Sequence, residues 1–371
     1  MRVVIAPDKF AGTLTSPEAA AAMAAGWAES APRDVLITVP LSDGGPGFVD
    51  TLHAGLGGEL LAVATAALPD EDTQYDALPA ALLRVGDTVY VECAHVVGHA
   101  VAAHSDPLRR SSHGVGVLVA HAIESGARRI VVGVGGTATN DGGAGLLAAL
   151  GATSLGADLD DGPLGLKGLT AVDLDGARDV VSGVELVVAT DVDNPLTGMF
   201  GATRTYGPQK GVTEEDLPWV DGVLGDLAAA TDRKLATEPG AGAGGGLGFA
   251  LMLLGARRVS GLELVAEACG LVEALAGADL VITGEGAFDY SSRAGKVPYG
   301  VAEAAQQALV PCIVLAGRVD VGAREMRTLG VESAYSMSEL YGVQAALTDP
   351  PGTLRRLAGR VARTWSPHEP D

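Results

Sequence analysis

Five short stretches of this sequence pair an acidic residue with glycine or a small polar residue. They are Asp8-Lys9-Phe10-Ala11-Gly12, Ser42-Asp43-Gly44-Gly45, the run Gly135-Gly136-Thr137-Ala138-Thr139-Asn140-Asp141-Gly142-Gly143, Asp191-Val192-Asp193-Asn194, and Gly284-Glu285-Gly286 running on to Asp289 and Ser292. Glycine lets backbone N–H groups approach an anion, and the helix after such a turn adds the positive end of its dipole. Phosphate cradling is the chemistry these loops suggest. Taken singly, each is equally readable as a turn or a helix cap, since Asp, Asn, Ser and Gly favour those positions. Lysine is scarce, five against twenty arginines, yet Lys9, Lys210 and Lys296 all fall in loops near glycine. A lysine ammonium is a compact point charge suited to β- and γ-phosphate oxygens.

Phosphoryl transfer to a hydroxyl requires a divalent ion on the phosphates, a cation for developing charge and a carboxylate near the attacking oxygen. Asp191, Asp193 and Glu285 supply candidate Mg²⁺ ligands, and Asp191 or Asp193 a group to orient the hydroxyl. Mg²⁺ takes one or two protein carboxylates beside phosphate and water, so not all of these can be ligands.

Other motifs are weaker. Gly295-Lys296 is followed by Val297 and lacks the spacing of a P-loop. Gly133-Val134-Gly135-Gly136-Thr137-Ala138 matches a G-x-G-x-x-A dinucleotide fingerprint, which keeps an NAD(P)-dependent oxidoreductase as an alternative, but Asn140-Asp141-Gly142-Gly143 interrupts the helix such a site needs at once. Gly240 to Gly246 reads as a flexible substrate loop or hinge. His95 and His99, with Glu92 and Cys93 nearby, have helical spacing but no second ligand pair for a structural zinc.

The elements that position these loops follow from hydrophobic rhythm. Short apolar strands at Val3–Ala6 and Val35–Val39 alternate with helices at Pro17–Ser30 and up to Leu56, and the rhythm returns at Leu280–Thr283, Val297–Ala308, Cys312–Ala316 and Ala334–Met337. Joined, the two ends predict a doubly wound parallel sheet of an α/β protein. Between them Glu59–Ala66, Leu82–Arg84 and Thr88–Glu92 read as strands joined by turns, opening a different, inserted mixed α/β domain. The expected division is 1–59 and 258–371 for the discontinuous domain and 60–257 for the insertion. A chain of 371 residues accommodates two cores of this kind. Only the tail from Ser366 to Asp371 reads as disordered.

A formal net charge of −21 argues against nucleic acid or an anionic membrane as partner, while leaving room for a small anion held by local cations. Three scattered cysteines suit a reducing, cytoplasmic setting, and neither a secretion signal nor a long apolar span is visible.

The strings IAPDKFAGTLTS, PLSDGGPGF, VGGTATNDGGAGLLAALGA, DVDNPLTG, YGPQKG, PGAGAGGGLG and ITGEGAFDYSSRAGKVPYGVA occur in this order along nearly the whole chain, which resembles the bacterial-type glycerate kinase family. The resemblance implies ATP as co-substrate, Mg²⁺, D-glycerate as acceptor with the 2-hydroxyl favoured, and a flavodoxin-like domain interrupted by a second α/β domain with the site in the cleft. It leaves open a homodimer and a non-catalytic nucleotide or organic-acid sensor on the same fold. For such an enzyme the residue types make Asp193, Asp191, Lys296 and Lys9 the expected catalytic residues, and Asp8, Ser42, Asp43, Gly44, Gly45, Gly135, Gly136, Thr137, Thr139, Asn140, Asp141, Asn194, Lys210, Gly284, Glu285, Gly286, Asp289 and Ser292 the expected substrate and phosphate contacts. Departures from the family pattern are Lys9 and Ala11 where serine and lysine are usual, Pro46 for glutamate, and Ser291 for glutamine before Ser292.

Overall fold

The computed structural model describes residues 1–66, 77–289 and 296–366. Ser291 and Ser292, and the tail beyond Ser366, lie outside the described residues. By contact the chain forms two compact units. The first comprises Met1–Asp43, Asp50–Gly57 and Leu262–Asp371, and the second Gly44–Val49 and Gly58–Gly261. The boundary differs from the sequence expectation because Gly44–Val49 packs with the second unit, and because Arg257–Val259 pairs there as a strand.

The chain enters the first unit through β1 (Arg2–Ile5) and β2 (Val35–Thr38). It crosses to the second through β3 (Glu59–Ala66), β4 (Ala77–Val85), β5 (Thr88–Glu92), β6 (Arg129–Gly133), the small hairpin β7 (Thr153–Leu155) and β8 (Ala171–Asp173), β9 (Glu185–Ala189) and β10 (Arg257–Val259). It returns through β11 (Leu280–Thr283), β12 (Ala287–Phe288), β13 (Cys312–Ala316), β14 (Arg318–Val319) and β15 (Val331–Ser336).

The first unit's main sheet has the order β15-β13-β11-β1-β2, and all its pairs are parallel. Counted along the unit this is 2-1-3-4-5, the flavodoxin-like order, whose switch point lies between β1 and β11. Continuous apolar runs such as Leu280–Thr283 and Cys312–Ala316 are wholly buried, as strands covered on both faces must be. The helix Ser16–Ser30 starts at a capping box in which Thr15 and Glu18 satisfy each other's backbone N–H groups, and Pro17 occupies the first turn. This fixes where the β1 loop ends.

The second unit holds a mixed sheet ordered β10-β9-β6-β5-β4-β3, antiparallel only at β3–β4 and β4–β5. Strand β4 is longer than Leu82–Arg84 because Pro79 is tolerated. It pairs with Ala64 of β3 but lies beyond the Leu83–Val85 stretch that pairs with β5, so its missing N–H breaks no ladder there. A large cluster including Val91, Ile130, Val132, Leu146, Val188 and Phe249 fills the unit's core. Cys93 and Cys312 are buried, and burial pushes the Cys312 thiol up to about 12, so these are packing residues. Among the described residues no helix is long and apolar enough to cross a membrane.

Candidate active site

At the switch point of the first unit three loops carry the charged residues. The loop after β1 begins with Asp8, whose backbone N–H donates to the carbonyl of Gly284 in the loop after β11, at 2.8 Å. Leu41, after β2, donates to the Pro7 carbonyl at 3.0 Å, which brings Ser42 and Asp43 alongside. Lys9 lies between two carboxylates, its Nζ 3.5 Å from Asp8 Oδ1 and 3.4 Å from Asp43 Oδ1. Ala11 is exposed, whereas Lys9 is turned onto the acids.

Asp8 is buried, and burial lifts its pKa to about 6 against the opposing pull of Lys9. Burial also works against the charge on Lys9, but Asp43 and Asp8 outweigh it and hold its pKa above the ordinary lysine value. A buried carboxylate beside a lysine at a switch point is costly as structure and useful as chemistry.

Glu285 is 5% exposed, and its Oε2 lies 3.9 Å from Lys296 Nζ. Lys296 immediately precedes the helix Val297–Gln307, with Pro298 in the first turn. A cation here opposes the helix dipole, so ammonium and dipole together form a strongly anion-attracting end. Gly284 is buried, and Gly286 and Asp289 are partly buried in the same loop.

In the second unit the loop after β6 is less open than its composition suggests. Gly135 donates to the Gly44 carbonyl at 3.1 Å, Ala138 to Val97 at 2.7 Å and Gly142 to Gly245 at 3.0 Å. Asp141 is fully buried, and its carboxylate accepts from the backbone of Ser112, Gly143 and Gly145 and from the Ser112 hydroxyl. It therefore organises the loop, where the sequence suggests a ligand contact. Burial nevertheless raises its pKa. Thr139 and Asn140 are also fully buried and Thr137 nearly so, leaving Gly136 as the exposed residue of the expected cradle, beside a half-buried Gly135 whose N–H is taken by Gly44. The helix begins only at Ala144, so the dinucleotide fingerprint lacks its geometry.

Lys210 is another correction. It is buried, and its Nζ donates to the Thr139 carbonyl at 2.7 Å instead of standing free in a loop. Burial lowers its pKa to about 7, with Asp141 pulling up and Arg110 pushing down. Gly240 to Gly246 is no flexible hinge either. It packs into the second unit, and a Cβ on Gly245, already at φ +73°, would stand 2.0 Å from the Thr139 carbonyl oxygen and 2.8 Å from Lys210 Nζ. The glycine serves a close approach.

The Asp191–Asn194 loop follows β9. Asp191 accepts a 2.5 Å hydrogen bond from Ser260, and Asp193 forms a 2.5 Å ion pair with Arg258 while its side chain stays 77% exposed. Asn194 is held by Tyr206 Oη at 2.8 Å and donates to the Phe200 carbonyl at 2.7 Å.

Glu92, which sequence reasoning places only beside an unconvincing zinc motif, has a definite function. Buried at the end of β5, it accepts from the backbone of Gly47 at 3.0 Å and Val49 at 3.1 Å, capping the helix Phe48–Leu56 and so shaping the Gly44-Gly45 turn. His95 Nε2 lies 3.6 Å from it. Among the described residues no group of three His, Cys, Asp or Glu side chains could hold a metal.

The sequence profile of the glycerate kinase family matches residues 3–366. The chain belongs to the glycerate kinase family. It is thus a phosphotransferase with an alcohol group as acceptor. A glycerate 2-kinase of Escherichia coli K12 is 38% identical over 348 residues, covering 91% of this chain and 90% of that protein. An uncharacterized protein of Mycobacterium bovis is 39% identical over 386 residues, covering 98% of this chain and 91% of that one. A crystal structure from Salmonella typhimurium LT2 described as a glycerate kinase 2 superposes with a TM-score of 0.80 at 36% identity, covering 99% of this chain and 98% of that one. In this family member Asp193 stays exposed, whereas Asp8, Glu285 and the Thr139–Asp141 run are buried.

The charge state of Asp8 yields a testable pH dependence. Its folded pKa of about 6 exceeds the ordinary carboxylate value, so the folded state binds a proton more tightly than the unfolded chain between about pH 4 and 6, and stability falls as pH rises through that window. Asp8→Asn is expected to raise stability at pH 8 by on the order of 1–2 kcal/mol while lowering turnover. In the native enzyme turnover should fall as pH drops through about 6, because the protonated acid no longer holds Lys9. Thermal melts and kcat/KM profiles of both forms check this. An unchanged acid limb in the variant would assign that limb to another group.

Proposed function

We propose that this chain transfers the γ-phosphoryl group of ATP to the 2-hydroxyl of D-glycerate, giving 2-phosphoglycerate and ADP. The observation that carries the reading is the gathering of Asp8, Lys9, Asp43, Glu285 and Lys296 at the switch point of the first unit's parallel sheet, where such folds bind their ligands. Family membership supports the reaction type, and the E. coli relative's description as a 2-kinase supports the position of transfer.

Lys296 and the helix end it precedes bind phosphate oxygens and stabilise the charge that develops on them. Lys9, braced by Asp8 and Asp43, supplies a second cation of fixed position. Gly136, exposed in the turn after β6, offers backbone where a substrate anion can approach closely, whereas Gly44 and Gly45 are buried against Gly135. Asp193, the exposed carboxylate, orients the attacking hydroxyl and accepts its proton as the phosphoryl group leaves ADP. The residues present fit Mg²⁺, since that ion needs only one or two protein carboxylates alongside phosphate and water. Asp191 would hold it, with Asp193 beside it on the same loop and Glu285, turned toward Lys296, the weaker candidates. Bound there, the ion would neutralise charge on the β- and γ-phosphates.

Phosphorus NMR of the product tests the regiochemistry. A 2-phosphoglycerate resonance is expected, 3-phosphoglycerate would overturn the 2-hydroxyl assignment, and inorganic phosphate alone would overturn the acceptor.

A further inference from the structure

Taking the kinase reading above as given, we infer that Arg258 and Ser260 are positioning residues for the Asp191–Asn194 loop, and that turnover depends on Arg258 through Asp193. Arg258 lies within β10 and Ser260 just past its end; β10 is the edge strand that runs parallel to β9 with Arg258 opposite Val188 and Val259 opposite Ala189. The pairing continues past β9, where Thr190 donates to the Val259 carbonyl at 3.0 Å. Side chains alternate along a strand, so residues 258 and 260 share one side. Each takes one carboxylate of the loop: Ser260 Oγ donates to Asp191 Oδ1, and Arg258 Nη2 meets Asp193 Oδ1, both at 2.5 Å. Arg257, on the opposite side, pairs only loosely with exposed Glu185, at 3.7 Å.

The guanidinium stem lies against Gly240. A Cβ there would stand 2.7 Å from Arg258 Cδ and 2.9 Å from Nε, so the glycine string's first member leaves the space the arginine occupies. An ion pair with a carboxylate this exposed contributes little to stability. What it does contribute is a fixed direction for Asp193, which matters when a misplacement of about 1 Å can cost a hundredfold in rate. Neither residue was visible as functional in the sequence, because the register of β10 on β9 is what brings them to the loop.

The test is a double-mutant cycle on the full-length enzyme, with kcat, KM for glycerate and melting temperature measured for each variant. Arg258→Met should lower kcat about thirty-fold, leave KM within about three-fold and leave the melting temperature near wild type, while Arg258→Lys recovers part of the rate. Ser260→Ala should cost about five-fold. Arg257→Met should behave as wild type. In an Asp193→Asn background Arg258→Met should add nothing, since the group it positions is gone. Wild-type kcat for Arg258→Met, or a full multiplicative loss on top of Asp193→Asn, would overturn the inference. Loss of rate tracking loss of melting temperature would also overturn it, in favour of a structural role. Wild-type turnover by Asp193→Asn itself would remove its basis while leaving the kinase reading intact. That reading fails separately, if the unmodified enzyme forms no phosphoglycerate.

Discussion

Replacing Lys296 with alanine is expected to lower kcat by about a thousand-fold, with little change or a slight gain in stability. The first part follows from where the charge develops. In phosphoryl transfer the protein's main work is electrostatic, and removing one cation or donor aimed at the transferring group costs about 10²–10³ or more. Lys296 stands before the first turn of the helix Val297–Gln307, facing Glu285 at 3.9 Å. The second part follows from the dipole. A lysine at a helix N-terminus is unfavourable by roughly 0.3–1 kcal/mol, partly offset here by Glu285, so alanine relieves a cost in the free enzyme. Steady-state kinetics at saturating ATP and glycerate, with a thermal melt, separate the two. A variant that turns over normally would place the phosphates elsewhere, and one that melts far below wild type would make Lys296 a structural residue.

Asp193→Asn should lower kcat by about 10²–10³. Asparagine has nearly the same shape but cannot accept the hydroxyl proton as a carboxylate does, and it is a poorer Mg²⁺ ligand. Because the Asp193 side chain is 77% exposed, its substitution should leave the fold unaffected. The Mg²⁺ dependence of the residual activity divides the two roles. A shift to higher Mg²⁺ marks lost coordination, and an unchanged dependence with a low plateau marks lost proton acceptance. Wild-type turnover would remove Asp193 from both.

Strands β1, β11 and β13 of the first unit were legible in the sequence because they are buried and read as apolar runs, and β1 and β11 are followed by the acid–glycine loops that the switch-point rule makes informative. The candidate site was legible only as residue types. Lys210 and Lys9 look alike along the chain, yet one lies inside the second unit on the Thr139 carbonyl and the other between two acids, a difference made by packing of distant segments. Asp141 reads as a ligand, yet Ser112, far away in sequence, completes its hydrogen bonds. The glycines of Gly240 to Gly246 look flexible because composition cannot distinguish glycine that frees a loop from glycine that lets two backbones touch. Glu92 could have been found from its apolar strand, since a carboxylate closing a buried run needs a donor nearby. Its donors, Gly47 and Val49, could not.

The most direct measurement is ADP release by the purified chain with ATP and Mg²⁺, in the presence and absence of D-glycerate. Phosphoryl transfer predicts ADP formation that saturates with glycerate and matches phosphoglycerate mole for mole. ADP formation that is absent, or the same with and without glycerate, would contradict it.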